Sequence, residues 1–151
     1  MHLDDIVCWP NVQKYYGDNP DLVEKYRRIR ESGECPFCPR NITKEGRKLV
    51  AEIARWSIIK NHYPYQGSVL HLLIIPKRHV ISLSELTNAE WVQMAEVIAI
   101  AADKYPFLAK GYGMAVRVGE VGGATLYHLH WHLIAPQVVE IGQIAVNFGI
   151  G

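Results

Sequence analysis

One octapeptide constrains the fold of this chain more than any other segment: Tyr127-His128-Leu129-His130-Trp131-His132-Leu133-Ile134. Successive side chains of a strand point to opposite faces. Leu129, Trp131 and Leu133 therefore need a core on one side. His128, His130 and His132 form a row on the other, roughly 6–7 Å between neighbours at about 3.3 Å rise per residue. Read this way, the strand runs from Tyr127 to Ala135 and is closed by Pro136. Desolvation and mutual repulsion keep most of the row neutral, which makes it available as nucleophile, base or ligand. Three readings compete: a chance His-rich strand, a three-His catalytic metal centre, and a nucleophilic histidine flanked by helpers. On a straight strand the nitrogens of i and i+2 can reach one ion, but those of i and i+4 cannot.

A core for that strand must come from the rest of the 151 residues, enough for one domain and too few for two comfortable cores. Residues 48–60 are rich in β-formers and read as two strands broken near Ala54-Arg55, and Leu70–Ile75 as a buried strand ended by Pro76. Tyr112–Val118 is another strand, followed by the turn of Gly119, Gly122 and Gly123. Asn19, Pro20 and Gly33 punctuate a helix over 18–33. Thr87 and Glu90 form a capping box that opens a helix over 88–105. The expected class is α+β: about five strands in an antiparallel sheet with two main helices.

The composition removes several functions. At 49% hydrophobic and 21% charged, the chain is an ordinary globular one. Its longest aliphatic run, Val97–Ala102, is too short to cross a membrane. A net charge of +1 gives no field for duplex nucleic acid, and Arg27, Arg28 and Arg30 read as a solvated helix face. The opening residues lack the basic and apolar regions of a secretion signal, so a cytoplasmic location is expected. Three cysteines exclude a complete disulfide framework. Cys35-Pro36-Phe37-Cys38 is a metal knuckle or a redox pair. Its place after a helix and before Pro39 favours the metal.

His-x-His-x-His followed by two apolar residues, with apolar x, resembles the signature of the histidine triad (HIT) superfamily of nucleotide hydrolases and nucleotidyl transferases. Asn61-His62-Tyr63-Pro64, and Leu72–Ile75 leading into Pro76-Lys77-Arg78-His79-Val80, resemble that family's ribose-side turn and "IPKxH" strand end. The helix, strand and glycine turn before the triad fall in the family order, and the resemblance covers roughly residues 35–136. Residues 1–34 read as an N-terminal helical extension and 35–151 as the HIT domain.

The resemblance implies that His130 is the nucleophile, attacking the α-phosphate of a nucleoside phosphoramidate or dinucleoside polyphosphate to leave a nucleotidyl-histidine. It places His132 on a phosphate oxygen and Thr125 on the leaving group. Asn61 falls beside the ribose, and the turn at Gly123, Ala124 and Thr125 falls on the phosphate. It implies a purine nucleotide conjugate as substrate, a structural Zn²⁺ held by Cys35, Cys38, His79 and His128, and a homodimer through the 88–105 helix and the Tyr112–Val118 strand. Ala124 departs from the Gln common in hydrolytic members, removing a polar contact. Gly67–His71 replaces the usual Pro-Gly-His with about two extra residues, leaving His71 pointing into the sheet or toward the site. His2 and His62 read as solvated. Rival readings are a dinucleoside polyphosphate phosphorylase, a non-catalytic nucleotide-binding module, and a metal hydrolase using the His row.

Overall fold

The computed structural model describes residues 6–139, 142–143 and 145–149; the solvated His2 expected above lies outside them. Helices α1 (Trp9–Tyr16) and α2 (Pro20–Ser32) precede strands β1 (Leu49–Glu52), β2 (Trp56–Lys60) and β3 (Ser68–Pro76). Helix α3 (Asn88–Lys104) leads to β4 (Gly113–Val116) and β5 (Trp131–Pro136). These strands form one five-stranded sheet in the order β1-β2-β3-β5-β4. Every neighbouring pair is antiparallel. A two-stranded ribbon, β6 (Val138–Val139) with β7 (Gly142–Gln143), follows.

The helices start and stop where local chemistry directs. The Asn19 side chain accepts from the Leu22 amide at 3.2 Å, and Gly33 ends α2 at φ 65°. Thr87 and Glu90 close the expected capping box on α3. The break between β1 and β2 falls at Ile53–Arg55, as the sequence predicts. Helix α1 is an addition to the two helices expected. Its N-cap, Cys8, makes no side-chain cap and the helix is eight residues long; Pro10 in the first turn and Gly17 at the C-cap are its local signals. Burial of Asn11 and Val12 against the rest of the chain holds it.

Both faces of the sheet are covered. On one, α3 packs over β1 and β2, and Met94, Val97 and Ala101 join Trp56, Ile74, Leu129, Trp131 and Leu133 in one core. On the other, Val12, Cys35, Phe37 and Ile42 pack on Ile59, Leu73 and Ile75. The N-terminal segment therefore lies on the sheet face opposite α3. At a transfer term of about 25 cal/mol per Å², each fully buried aliphatic side chain in either layer contributes about 1.5–3 kcal/mol.

Two strands are shorter than the sequence predicts. The expected Tyr112–Val118 strand is observed as Gly113–Val116. The expected Tyr127–Ala135 strand pairs in the sheet only from Trp131. Before that, its backbone bonds elsewhere: Cys8 N–H to Thr125 C=O at 3.0 Å, Tyr127 N–H to Ile6 C=O at 2.8 Å, and Leu129 N–H to Val80 C=O at 2.7 Å. The alternation still holds. Leu129, Trp131 and Leu133 enter the α3-side core, and the histidines face the N-terminal layer.

Candidate active site and metal centre

His128 is fully buried and its Nε2 donates to the Pro76 carbonyl at 2.8 Å. That bond fixes the tautomer and leaves the Nδ1 lone pair directed at sulfur. Cys35 Sγ lies 3.2 Å away and Cys38 Sγ 3.8 Å away, and Cys38 Sγ is 3.5 Å from His79 Nδ1. The four donor atoms all fall within 4.8 Å of one another. A tetrahedral ion with metal–sulfur bonds of about 2.3 Å and metal–nitrogen bonds of about 2.0–2.1 Å needs donor separations of roughly 3.3–3.8 Å. The Cys35–His128, Cys38–His79 and Cys38–His128 separations of 3.2, 3.5 and 3.8 Å lie close to that range. Burial pushes the Cys35 thiol up to about 12 and holds His128 down at about 3. His128 is thus a neutral ligand at pH 7, and a cation is what converts such a thiol to thiolate. Cys35 and Cys38 sit in a turn rather than at the start of a helix, and the two histidines beside them favour the metal reading over the redox pair.

His130 is half-buried, and its Nδ1–H donates to the His128 carbonyl at 2.7 Å. Nε2 is therefore the unprotonated nitrogen. Burial, opposed by that carbonyl and aided by Arg117, holds the ring below its ordinary value, so it is a neutral imidazole near pH 7. Phe37 packs against it at 5.0 Å between ring centres.

His132 is held by a histidine that the sequence left ambiguous. His71 lies on β3 on the same face as Leu73, which pairs with His132 across the sheet, and it points toward the site. The Tyr65 amide donates to His71 Nδ1 at 3.1 Å. His71 Nε2–H then donates to His132 Nδ1 at 2.8 Å. This leaves the proton of His132 on Nε2, a buried atom without a protein partner among the described residues. A buried donor without a partner is costly, and a ligand oxygen is the natural acceptor. Burial is the main cause that holds His71 at about 4 and His132 lower still. Tyr65 stacks on His132 at 5.5 Å and 22°, and Phe148 meets it edge-on at 5.0 Å.

These rings open on a cleft, partly open to solvent, with Thr125, Asn61, Gly123 and Ala124 in its wall. Thr125 Oγ1 is 3.4 Å from the Tyr26 hydroxyl. The Asn61 amide nitrogen lies 3.3 Å from His71 Nε2, and its oxygen accepts from the Tyr63 amide at 3.0 Å. His62 is exposed at the rim, as expected. The glycine turn departs from expectation. The Gly123 amide donates to Glu120 C=O at 2.9 Å and the Ala124 amide to Gly119 C=O at 3.0 Å. These two N–H groups close the turn and do not point at a ligand. Gly123 is required there, at φ 86°, where a Cβ would sit 2.7 Å from the Tyr15 hydroxyl.

Sequence reading missed Tyr65, Arg117, Tyr16, Tyr26 and Phe148 as neighbours of the histidines. Arg117 was the one visible case, the sole charge within Tyr112–Val118. Tyr26 falls on the apolar stripe of α2 with Leu22, Val23 and Ile29, a spacing that reads as packing, and Tyr65, Tyr16 and Phe148 carry no such signal.

A family model described as the HIT domain matches residues 45–138. The chain is 33% identical over 99 residues to an "Uncharacterized HIT-like protein" of Chlamydia trachomatis, covering 64% of this chain and 85% of the relative. It is 36% identical over 69 residues to a HIT-like protein of Synechococcus elongatus, covering 43% and 59%. Among solved structures it is similar to a HIT family hydrolase from Clostridium thermocellum, with TM-score 0.60, 27% identity, and 72% and 94% coverage. It shares its fold with a histidine triad nucleotide-binding protein from Candida albicans, with TM-score 0.61, 22% identity, and 78% and 85% coverage. The matched span holds all five strands of the sheet, helix α3 and the three triad histidines, and the chain belongs to the HIT family.

Proposed function

We propose that this chain is a nucleotide hydrolase or nucleotidyl transferase acting at the α-phosphate of a purine nucleotide conjugate through a nucleotidyl-histidine on His130. The observation that carries the reading is the tautomer of His130. Its Nδ1–H is committed to the His128 carbonyl, and its ring lies 5.1 Å from that of His132, whose Nε2–H has no partner among the described residues. A nucleophile and an oxyanion donor thus share one cleft. Ile29, Phe37, Ile59 and Leu73 give the cleft an apolar wall suited to a flat base.

In the first step the His130 Nε2 lone pair forms a bond to phosphorus. The bond to the leaving group breaks and its electron pair departs with that group, with the Thr125 hydroxyl as hydrogen-bond donor. Water then attacks phosphorus, the P–N bond breaks with its pair returning to Nε2, and the water proton passes to solvent. Inorganic phosphate in place of water would make the same chain a phosphorylase. Cys35, Cys38, His79 and His128 would hold a structural Zn²⁺, for which two sulfur and two nitrogen donors are suited. Its part is to neutralise the thiolates and fasten the knuckle to the sheet.

The test is intact-protein mass spectrometry after mixing with nucleoside phosphoramidates and dinucleoside polyphosphates. A nucleotidyl adduct is expected on wild-type protein and not on His130→Ala, whose turnover falls by several orders of magnitude. Near-normal turnover in His130→Ala refutes the mechanism. Bound nucleotide with no adduct and no turnover would favour the binding module.

A further inference from the structure

Arg117 projects into the cleft from the end of β4 and carries a positive charge with no carboxylate partner among the described residues. Neutral groups hold it. Nη1 donates to the Tyr65 hydroxyl at 2.6 Å, Nε donates to the Gly149 carbonyl at 3.0 Å, and the guanidinium lies 4.0 Å over the Phe148 ring. These contacts fix its plane and leave Nη2 without a protein partner among the described residues. Of the other lysines and arginines lining the cleft, Lys25 and Arg47 pair with Glu45, and Lys60 is exposed and lies over the Tyr105 ring. A half-buried guanidinium without a counter-ion is an anion site in waiting.

Its place in the cleft is defined by its neighbours. The Tyr65 ring that receives Nη1 stacks on His132. The side chain passes the glycine turn so closely that a Cβ on Gly123 would stand 3.2 Å from Arg117 Cδ. Two residues further along that turn is Thr125. Arg117 thus shares the wall of the cleft with the His132 donor, with the hydroxyl assigned to the leaving group, and with Ala124, whose methyl offers no polar contact. Its charge also contributes to the lowered values of His71, His130 and His132.

We propose that Arg117 receives the negative charge of the departing group and fits this cleft to phosphoanhydrides rather than phosphoramidates. The inference rests on the reaction proposed above. When His130 attacks a nucleoside polyphosphate, the bond from phosphorus to the bridging oxygen breaks and its electron pair stays on that oxygen. The leaving phosphate needs no proton; it gains negative charge, which a fixed guanidinium stabilises. When the same attack is made on a phosphoramidate, the pair stays on nitrogen and the amine must gain a proton. A guanidinium cannot supply one, because it does not deprotonate in proteins. Its charge also opposes an ammonium forming beside it.

The experiment compares kcat/KM for a dinucleoside triphosphate and a nucleoside phosphoramidate with wild type, Arg117→Lys and Arg117→Ala. Wild type is expected to favour the triphosphate. Arg117→Ala is expected to lose about 10²–10³-fold on the triphosphate, the range for a donor at developing charge, and about tenfold less than that on the phosphoramidate. Arg117→Lys keeps charge but loses the fork and falls between. Equal losses on both substrates, or a wild-type preference for the phosphoramidate, overturn the proposal. Calorimetric binding of α,β-methylene-ADP against AMP separates this from failure of the reaction itself. If no substrate turns over, the proposed reaction falls. Arg117 is still judged by whether Arg117→Ala abolishes a wild-type preference for the diphosphate; an unchanged preference overturns it.

Discussion

Replacing Cys35 by Ala tests the metal centre, and the structure fixes what the change should do. Cys35 is 6% exposed, and its sulfur lies 3.2 Å from His128 Nδ1. His128 is 0% exposed, and its other nitrogen is already bonded to Pro76. The substitution removes one of four donors and leaves a buried acceptor nitrogen facing a methyl group. An unpartnered buried polar group costs about 1–3 kcal/mol. An ion present at about a thousand times its dissociation constant stabilises the folded chain by about 4 kcal/mol, and that is lost with the site. The loss together is roughly 5–7 kcal/mol. For a chain of this length that lowers Tm by about 10–25 °C. Cys35→Ser loses the ion equally, but its hydroxyl can donate to Nδ1, so it should melt a few degrees above Cys35→Ala. Scanning calorimetry with and without a chelator, beside elemental analysis, reads all of this. Wild-type protein is expected to carry one zinc per chain and to melt lower in chelator, with neither cysteine variant responding to it. The reasoning is refuted by wild type that binds no divalent metal and ignores chelator, or by Cys35→Ala melting with wild type. Zinc retained after both cysteines are replaced points instead to the histidine row.

Two further outcomes follow from the α3 side. Arg78 meets Glu90 through two bonds of 3.1 and 2.9 Å, and Arg78, helped by Thr87, holds the carboxyl down at about 2 against an ordinary 4.5. A depressed carboxylate stabilises fully above its unfolded value and loses that stabilisation as pH falls through the folded one. Tm should therefore fall between about pH 5 and pH 2, and Glu90→Gln should flatten that fall; an identical acid slope in the variant refutes the pairing. We also propose a homodimer through β4, an edge strand with Met114 exposed and no sheet partner but β5 among the described residues. Sedimentation equilibrium at micromolar concentration should give twice the chain mass, reduced to one in Met114→Asp, and a single-chain mass for wild type rejects it.

What the sequence made legible was what it encodes within a few residues. Asn19 and Gly33 bracket α2, Thr87 and Glu90 start α3, and the alternation from Leu129 to Leu133 correctly separates core from histidines. The paired extent of that last strand was not legible. Whether residues 125–129 join the sheet depends on Ile6, Cys8 and Val80, which compete for their backbone groups from far along the chain. Arg117 and Tyr65 illustrate the same limit. Their meeting at 2.6 Å depends on the β3-β5-β4 register, to which neither residue's local sequence contributes a signal. His71 lay between these cases: its face follows from β3 periodicity once the strand's phase is known, but Leu72 and Ile74 on one face and Leu73 and Ile75 on the other are equally apolar, so the phase comes only from the pairing with β5.

The site depends on chain outside the matched 45–138 span. The Asn11 side chain of α1 donates to the carbonyls of Glu120 and Ala124, each at 2.8 Å, and so props the glycine turn that carries Thr125. Tyr26 of α2 meets the Thr125 hydroxyl. The CxxC donors meet His128, and it is the His128 carbonyl that sets the tautomer of His130. The candidate metal centre and the proposed nucleophile are thus two ends of one short path: sulfur to imidazole, imidazole to backbone, and backbone to Nδ1–H. An ion bound by the knuckle would stiffen that path without touching substrate. The physical reason is positional: a nucleophile must be held within a few tenths of an ångström, and the residues before Trp131 lack a sheet ladder to hold them.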